Sequence, residues 1–142
     1  MGKHILVPVD ESDGAREACE FVEREFPSAT VTLLHVINPA EAGYSMEGSL
    51  PTASEEWYER KRSDAESLFE DFESELSGTQ RTVHTEVEAG KTTNVIVGYA
   101  ADNDVDQIVM GSHGRSGVSR ILLGSVAETV VRRSPVPVTV VR

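Results

Sequence analysis

Short, nearly continuous apolar runs alternate along this chain with longer segments in which apolar residues recur every three or four positions. The runs are typical of strands covered on both faces, and the longer segments are typical of amphipathic helices. The runs predict strands at residues 4–10, 30–37, 81–90, 106–111 and 136–141. The longer segments predict helices at residues 12–26, 54–76, 92–103 and 124–134. This alternation predicts an α/β fold, a single parallel sheet with helices on both faces and right-handed crossovers.

One domain, residues 1–142, accounts for this pattern, because 142 residues that are 39% hydrophobic can bury a single core. Ser12 or Asp10 is placed to cap the first helix. Residues 38–53 predict an irregular loop, which is either a lid over a ligand or an ordinary variable loop. The apolar stripe of the second helix is predicted to belong to the core, and it consists of Trp57, Leu68, Phe69, Phe72 and Leu76.

The chain is acidic, with a formal net charge of -11 and a pI near 4.7. This charge argues against general nucleic-acid binding, because affinity for a phosphate backbone comes mainly from Lys and Arg. It suits a halophilic cytosol at high salt, with an ordinary acidic protein as the alternative. Residues 1–110 hold 8 basic and 23 acidic residues, whereas residues 111–142 hold 5 basic and 1 acidic. We therefore expect an anion to prefer the C-terminal third.

Cysteine and histidine give no sign of a metal or redox site. The single cysteine, Cys19, predicts a small buried side chain rather than a nucleophile. His4, His35 and His84 lie on separate predicted strands without metal-ligand spacing, which favours structural or surface roles. Because no apolar run approaches a membrane span and no signal segment is recognisable, we expect a cytoplasmic protein without a membrane partner.

The stretch IVMGSHGRSGVSRILLGSVAETV, residues 108–130, combines a glycine-rich turn with the start of a helix at Gly124-Ser125. It lacks both the Gly-Lys-Ser/Thr of a Walker A loop and the spacing of the dinucleotide fingerprint. The free backbone N–H groups and the positive dipole end of the helix nevertheless attract an anion, and glycine permits its close approach. We therefore favour phosphate binding over a purely structural turn. Ser125 either donates its hydroxyl or caps the helix.

The chain resembles the universal stress protein family, and in particular its ATP-binding branch. The resemblance is carried by ILVPVDES, by LLHVI, by the Gly90 turn, by Gly111-x2-Gly114-x9-Gly124-Ser125 and by PVPVTVVR. It implies the strand order 3-2-1-4-5, usually a dimer, and a nucleotide lying over the ends of strands one and four. The physics of such a sheet agrees, since the chain leaves these two strands toward opposite faces and opens a crevice between them.

The resemblance also implies the residues that bind the nucleotide, which would be ATP. Asp10 is the expected polar anchor, with a helix cap as its alternative role. Magnesium would be held through phosphate oxygens and water, since no carboxylate cluster is assembled for it. The adenine and ribose end is assigned to Pro8, Val9, Asp10 and Val36, with Met110 near the base or ribose. The phosphates are assigned to Gly111, Ser112, His113, Gly114, Gly124, Ser125 and Val126, with Arg115 either a charge partner or turned to solvent.

The sequence departs from the usual family pattern in two places. Glu11 stands where glycine is frequent, which adds negative charge near the expected ligand. Lys91-Thr92 follows Gly90 where proline often occurs, but Thr92 can still cap the third helix.

The favoured function is a nucleotide-dependent stress-response or signalling module. The alternatives are a slow ATPase or nucleotide hydrolase, and a dimeric interaction scaffold without nucleotide. No residue is predicted to be catalytic, because nothing orients His113 as a base, although it could donate to phosphate. The valines of the last strand, at an edge of the expected sheet, predict a homodimer in which this strand pairs with its copy. Pro137 is tolerated on only one side of such a strand.

Overall fold

The computed structural model describes residues 2–41, 54–76, 81–112 and 123–142, and the predicted alternation of strands and helices is present there. The strands are β1 His4–Pro8, β2 Thr30–Ile37, β3 Val83–Ala89, β4 Gln107–Gly111 and β5 Val138–Val141. The helices used below are α1 Asp13–Glu25, α2 Glu55–Leu76, α3 Thr92–Asp102 and α4 Ser125–Arg133. Residues 42–53, most of the predicted irregular stretch, lie outside the described residues.

The strands form one sheet in the order β3-β2-β1-β4-β5, and every neighbouring pair is parallel. Both the fold class and the strand order are therefore confirmed. The central strand β1 pairs Val7 with Leu33 of β2 and Ile5 with Gln107 of β4. Its residues Ile5, Leu6 and Val7 are fully buried, which explains why this strand reads as a continuous apolar run.

Alternate residues of the central strands point into two cores, one on each face of the sheet. On one face Val7 belongs to a cluster with Val22 of α1 and Phe72 of α2. On the other face Leu6 belongs to a cluster with Ile96 of α3 and Val130 of α4. Helices therefore cover both faces, as predicted, and burial of each large apolar side chain contributes about 1.5–3 kcal/mol.

The predicted roles of the apolar helix residues are also confirmed. In α2 the residues Trp57, Phe69, Phe72 and Leu76 are buried, and Leu68 packs against the core. Cys19 is buried in α1, where desolvation, with a smaller contribution from the negative charge of Glu75, raises the pKa of its thiol to about 12. A thiol with this pKa stays protonated at neutral pH, as a small core side chain does.

The starts of α1 and α3 decide two capping predictions. Ser12 caps α1, because its hydroxyl accepts a hydrogen bond from the Ala15 N–H at 3.3 Å. The prediction that Thr92 caps α3 is wrong. The cap position is Lys91, in extended conformation and without a side-chain hydrogen bond, and Thr92 is already the first helical residue. The helix begins one residue earlier than the capping prediction requires, so the Thr92 side chain belongs to its first turn.

The turn after β3 depends on Gly90, as the family motif implies. Its φ of +150° is a backbone conformation that residues with side chains rarely adopt. Its N–H donates to the Ile37 carbonyl oxygen at 2.9 Å, which ties the end of β3 to the end of β2. Within the described ranges, no helix is both long and apolar enough to cross a membrane.

Candidate functional site

A crevice opens at the carboxyl ends of β1 and β4, the two central strands. After β1 the chain enters α1 on one face of the sheet, and the helix α4 that follows β4 packs on the other face. The crevice between them has a volume of about 290 Å³. This is the switch point at which open α/β sheets bind their ligands.

Sequence reasoning placed thirteen residues at a ligand site, and the structure brings ten of them to this crevice. Those lining it are Pro8, Val9, Asp10, Val36, Met110, Gly111, Ser112, Gly124, Ser125 and Val126. The other three, His113, Gly114 and Arg115, lie outside the described residues. The ten residues come from both sides of the switch point, as the resemblance implies. Their contact with a nucleotide stays a prediction.

On the β1 side, Asp10 is hydrogen-bonded to the residue that caps α1. Its Oδ1 accepts a hydrogen bond from the Ser12 N–H at 2.8 Å and another from the Ser12 hydroxyl. Asp10 therefore does not cap α1 itself but fixes the residue that does. Both Asp10 and Ser12 line the crevice, so this turn places two polar side chains in its wall.

On the β4 side, backbone hydrogen bonds hold the start of α4 in place. The N–H of the buried Ser112 donates to the Val141 carbonyl at 2.9 Å, and the Ser112 carbonyl accepts from the Gly124 N–H at 2.7 Å. Gly124 is the cap residue of α4, in extended conformation and with no side-chain cap bond. Ser125 is thus the first helical residue rather than the cap. The N–H groups of this first turn have no helical acceptor and can bind an anion.

Gly111 has a packing role that the sequence did not reveal. A Cβ atom at this position would lie 2.6 Å from the Cα and the carbonyl carbon of Gly14 in α1, well inside van der Waals contact. A glycine is therefore required here so that the first turn of α1 can approach the end of β4. Gly111 also lines the crevice. Since packing against Gly14 is enough to require a glycine here, the presence of Gly111 in the motif does not by itself demonstrate phosphate contact.

Sequence reasoning missed several residues of the crevice. His35 is one of them, and its Nδ1 is hydrogen-bonded to the Val9 carbonyl oxygen at 2.9 Å. Glu41 and Thr92 follow the carboxyl ends of β2 and β3, which is a position that could have identified them. The full set of additional lining residues is Ser12, Ala15, Leu34, His35, Glu41, Thr92, Ile96 and Ala127.

The positive charge of the C-terminal third does not reach the described lining of the crevice. The ionisable side chains there are Asp10, His35 and Glu41, with no lysine or arginine among the described lining residues. Arg132 and Arg133 lie in the last turn of α4, at the opposite end of that helix from its cap. The expectation that charge asymmetry would direct an anion here is therefore not met by these two arginines. In the described lining, backbone N–H groups are the features that attract an anion.

The described part of the chain contains no group of three or more His, Cys, Asp or Glu side chains that could hold a metal ion. His4 has a local structural contact, with its Nε2 2.8 Å from the Thr32 hydroxyl, and His84 is exposed on β3. These two histidines have the structural and surface roles expected from their spacing. His35, in contrast, lies at the crevice.

Comparison with known proteins gives a match along the whole chain. The model of the Universal stress protein family matches residues 1–142. Universal stress protein MJ0531 of Methanocaldococcus jannaschii is 35% identical over 144 residues, which cover 99% of this chain and 82% of that protein. Universal stress protein MJ0577 of the same organism is 33% identical over 157 residues, which cover 100% of this chain and 96% of that protein.

Solved structures share the fold. A structure of MJ0577 superimposes with a TM-score of 0.81 at 34% identity and covers 99% of this chain and 96% of its own. A universal stress protein family member from Arabidopsis thaliana with AMP bound has a TM-score of 0.68 at 19% identity, with 98% and 90% covered. At that identity the likeness extends to the fold alone.

Proposed function

This chain belongs to the universal stress protein family, and we propose that it binds an adenine nucleotide in the crevice between the ends of β1 and β4. The observation that carries the proposal is the start of α4, an uncapped helix N-terminus that opens onto the crevice beside the Asp10 turn. One wall thus offers backbone N–H groups to phosphates, and the other offers a carboxylate to a ribose. ATP is the proposed ligand, and the protein would act as a nucleotide-dependent stress-response or signalling module.

The base and ribose would lie on the β1 side. The β1–β2 register ends at the pair Pro8 and Leu34, so Val36 lies beyond the last paired residue of β1. Because Ile37 directs its carbonyl toward Gly90, alternation turns the backbone groups of Val36 to the β1 side. Its N–H and carbonyl then offer a donor and an acceptor to the ring nitrogen and amino group of adenine. Met110 supplies an apolar contact in the same crevice.

The phosphates would lie at the start of α4. Gly124 carries no side chain that would cover the N–H groups of Ser125 and Val126, so an anion can approach them closely. Asp10 and Glu41 both carry negative charge in the crevice, which favours an orientation with the phosphates away from the β1 side. Magnesium would be carried on phosphate oxygens and water, as this ion usually retains several waters.

The dimensions of the crevice suit a ligand of this size. Its volume of about 290 Å³ lies near the lower end of the range for small-molecule sites, roughly 300–1,000 Å³. The AMP held by the Arabidopsis family member belongs to the same ligand class.

Calorimetric titration with ATP, ADP, AMP and GTP, each with and without Mg²⁺, tests the proposal. We expect saturable binding of the adenine nucleotides and at least about tenfold weaker binding of GTP, a difference of about 1.4 kcal/mol. Absence of heat and of any thermal shift with every nucleotide would leave the dimeric scaffold as the function. Accumulation of ADP above background in the ATP and Mg²⁺ sample would instead favour the hydrolase.

We also propose that the outer edge of β5 pairs with the same strand of a second copy. Directly before β5 the Pro137 carbonyl accepts from the Ile108 N–H at 2.9 Å, so the missing N–H of this proline lies on the β4 side. By alternation, Val138 and Val140 direct their backbone groups to the outer edge, where a two-fold copy can bind them. Sedimentation at micromolar concentration is expected to give a dimer, and a monomer would refute this pairing.

A further inference from the structure

A side-chain hydrogen bond takes over where the backbone pairing of β1 and β2 ends. The Val9 N–H donates to the Leu34 carbonyl at 2.9 Å, one step beyond the last pair of the register. The next group along β1, the Val9 carbonyl, is bonded at 2.9 Å to the ring Nδ1 of His35. In a regular parallel ladder the acceptor at this position would receive a backbone N–H, that of Val36.

This contact determines which ring nitrogen of His35 carries a hydrogen. A carbonyl oxygen only accepts, so Nδ1 of His35 must carry the hydrogen and donate it. In the neutral ring Nε2 is then the acceptor nitrogen. The contact is thus a structural restraint on the Val9 carbonyl.

The restraint acts at the point where the candidate site begins. Val9 immediately precedes Asp10, whose carboxylate holds Ser12 in the turn before α1. His35 itself immediately precedes Val36, the residue proposed to bind the base. The ring therefore connects the two backbone segments that form the β1 side of the crevice, and His35 lines that crevice.

We propose that His35 is a positioning residue for the base and ribose end of the nucleotide site. By donating to Val9, its ring holds this carbonyl in place of the Val36 N–H, which remains available to the base, and it fixes the direction in which Asp10 enters the crevice. This inference rests on the proposed function, since it assigns His35 a part in the same site. It predicts that ATP affinity depends on where the side chain of residue 35 carries its hydrogen-bond donor, and not only on the bulk or polarity of that side chain.

Two substitutions of His35 by residues with a neutral amide separate the effect of donor position from the effects of bulk and polarity. Asparagine carries its amide nitrogen at the same number of bonds from Cα as Nδ1 of histidine, whereas glutamine carries it at the distance of Nε2. His35→Asn can therefore donate to Val9, and His35→Gln places its donor one bond farther out. Both substitutions remove the ring and introduce the same polar group, so each is a control for the other.

The experiment measures the dissociation constant for ATP by calorimetry and the melting temperature without nucleotide, for the wild type and both variants. We expect His35→Gln to weaken ATP binding about tenfold and His35→Asn to stay within about threefold of the wild type. The two melting temperatures should agree within about 4 °C, a shift that corresponds to roughly 1 kcal/mol or less.

The inference is overturned if His35→Gln binds ATP as tightly as the wild type, or if both variants lose affinity equally. It is also overturned if the affinity loss of His35→Gln is matched by a proportionate loss of melting temperature, because the ring would then be purely structural. A wild type that binds no nucleotide would refute the proposed function itself, which the first titration reveals before either variant is compared.

Discussion

Two helices, α1 and α4, begin at the same crevice, but their N-termini are capped differently. At α1 the Ser12 hydroxyl accepts the Ala15 N–H, and Asp10 holds Ser12 in place. At α4 the cap residue is Gly124, which offers no side-chain acceptor. Both helices have the same dipole direction relative to the crevice, so the cap residue decides which of them offers N–H groups to a ligand.

The difference extends to charge. The α1 side carries the Asp10 carboxylate, which repels an anion. On α4 the carboxylate of the first turn, Glu128, is paired with Arg132 at 2.8 Å on the exposed surface. In the proposed function the two helix starts would therefore serve opposite ends of the nucleotide, the α1 turn contacting hydroxyl groups and the α4 turn contacting phosphates.

The largest effect is expected from Gly124→Val, which places an aliphatic side chain where an anion would approach the N–H groups of α4. We expect ATP affinity to fall roughly 100-fold or more, equivalent to about 2.8 kcal/mol. The fold should persist, because the φ of -64° and ψ of 155° at this position are accessible to any residue. Calorimetry measures the affinity, and circular dichroism measures the fold.

Gly98→Ala is the matched control, because a Cβ at this position in α3 meets nothing within 4 Å. It should leave ATP affinity unchanged and raise the free energy of unfolding by up to about 1 kcal/mol. If Gly124→Val binds ATP as the control does, the α4 start does not hold the phosphates.

Gly111→Ala tests whether two glycines of one motif have different roles. Its Cβ would lie 2.6 Å from the backbone of Gly14, so we expect the free energy of unfolding to fall by about 1–3 kcal/mol. Urea denaturation without nucleotide measures this loss. A nucleotide-free stability equal to that of the wild type would show that α1 can retreat from β4 at little cost.

The smallest effect is expected from Ser12→Ala, which removes the cap of α1. The Ala15 N–H then loses its partner, and the free energy of unfolding should fall by about 1 kcal/mol. Ser125→Ala, at the first position of α4, is the comparison, with an expected change below about 0.5 kcal/mol. Equal losses in urea denaturation for the two serine variants would contradict the difference in capping.

The residues of the candidate site were predictable to different degrees. Asp10 and Gly124 stand out in the sequence because they follow or precede regular elements at the carboxyl end of the sheet. The sequence shows His35 only as a strand histidine without metal spacing, because its bonding partner Val9 lies 26 residues away along the chain. The Gly14–Gly111 contact was equally hidden, since neither local sequence indicates which glycine it meets.

By itself the sequence determined the strands and helices, the parallel sheet and the end of it that bears the crevice. These follow from the period of apolar residues and from the connection rules, both of which act along the chain. Only the tertiary structure decided that Ser12 is the cap, that Gly111 is a packing residue, that His35 reaches Val9, and that Arg132 and Arg133 lie away from the crevice. The reason is physical, because each of these depends on distances between atoms that the crossovers bring together, and a pattern of residue types does not encode such distances.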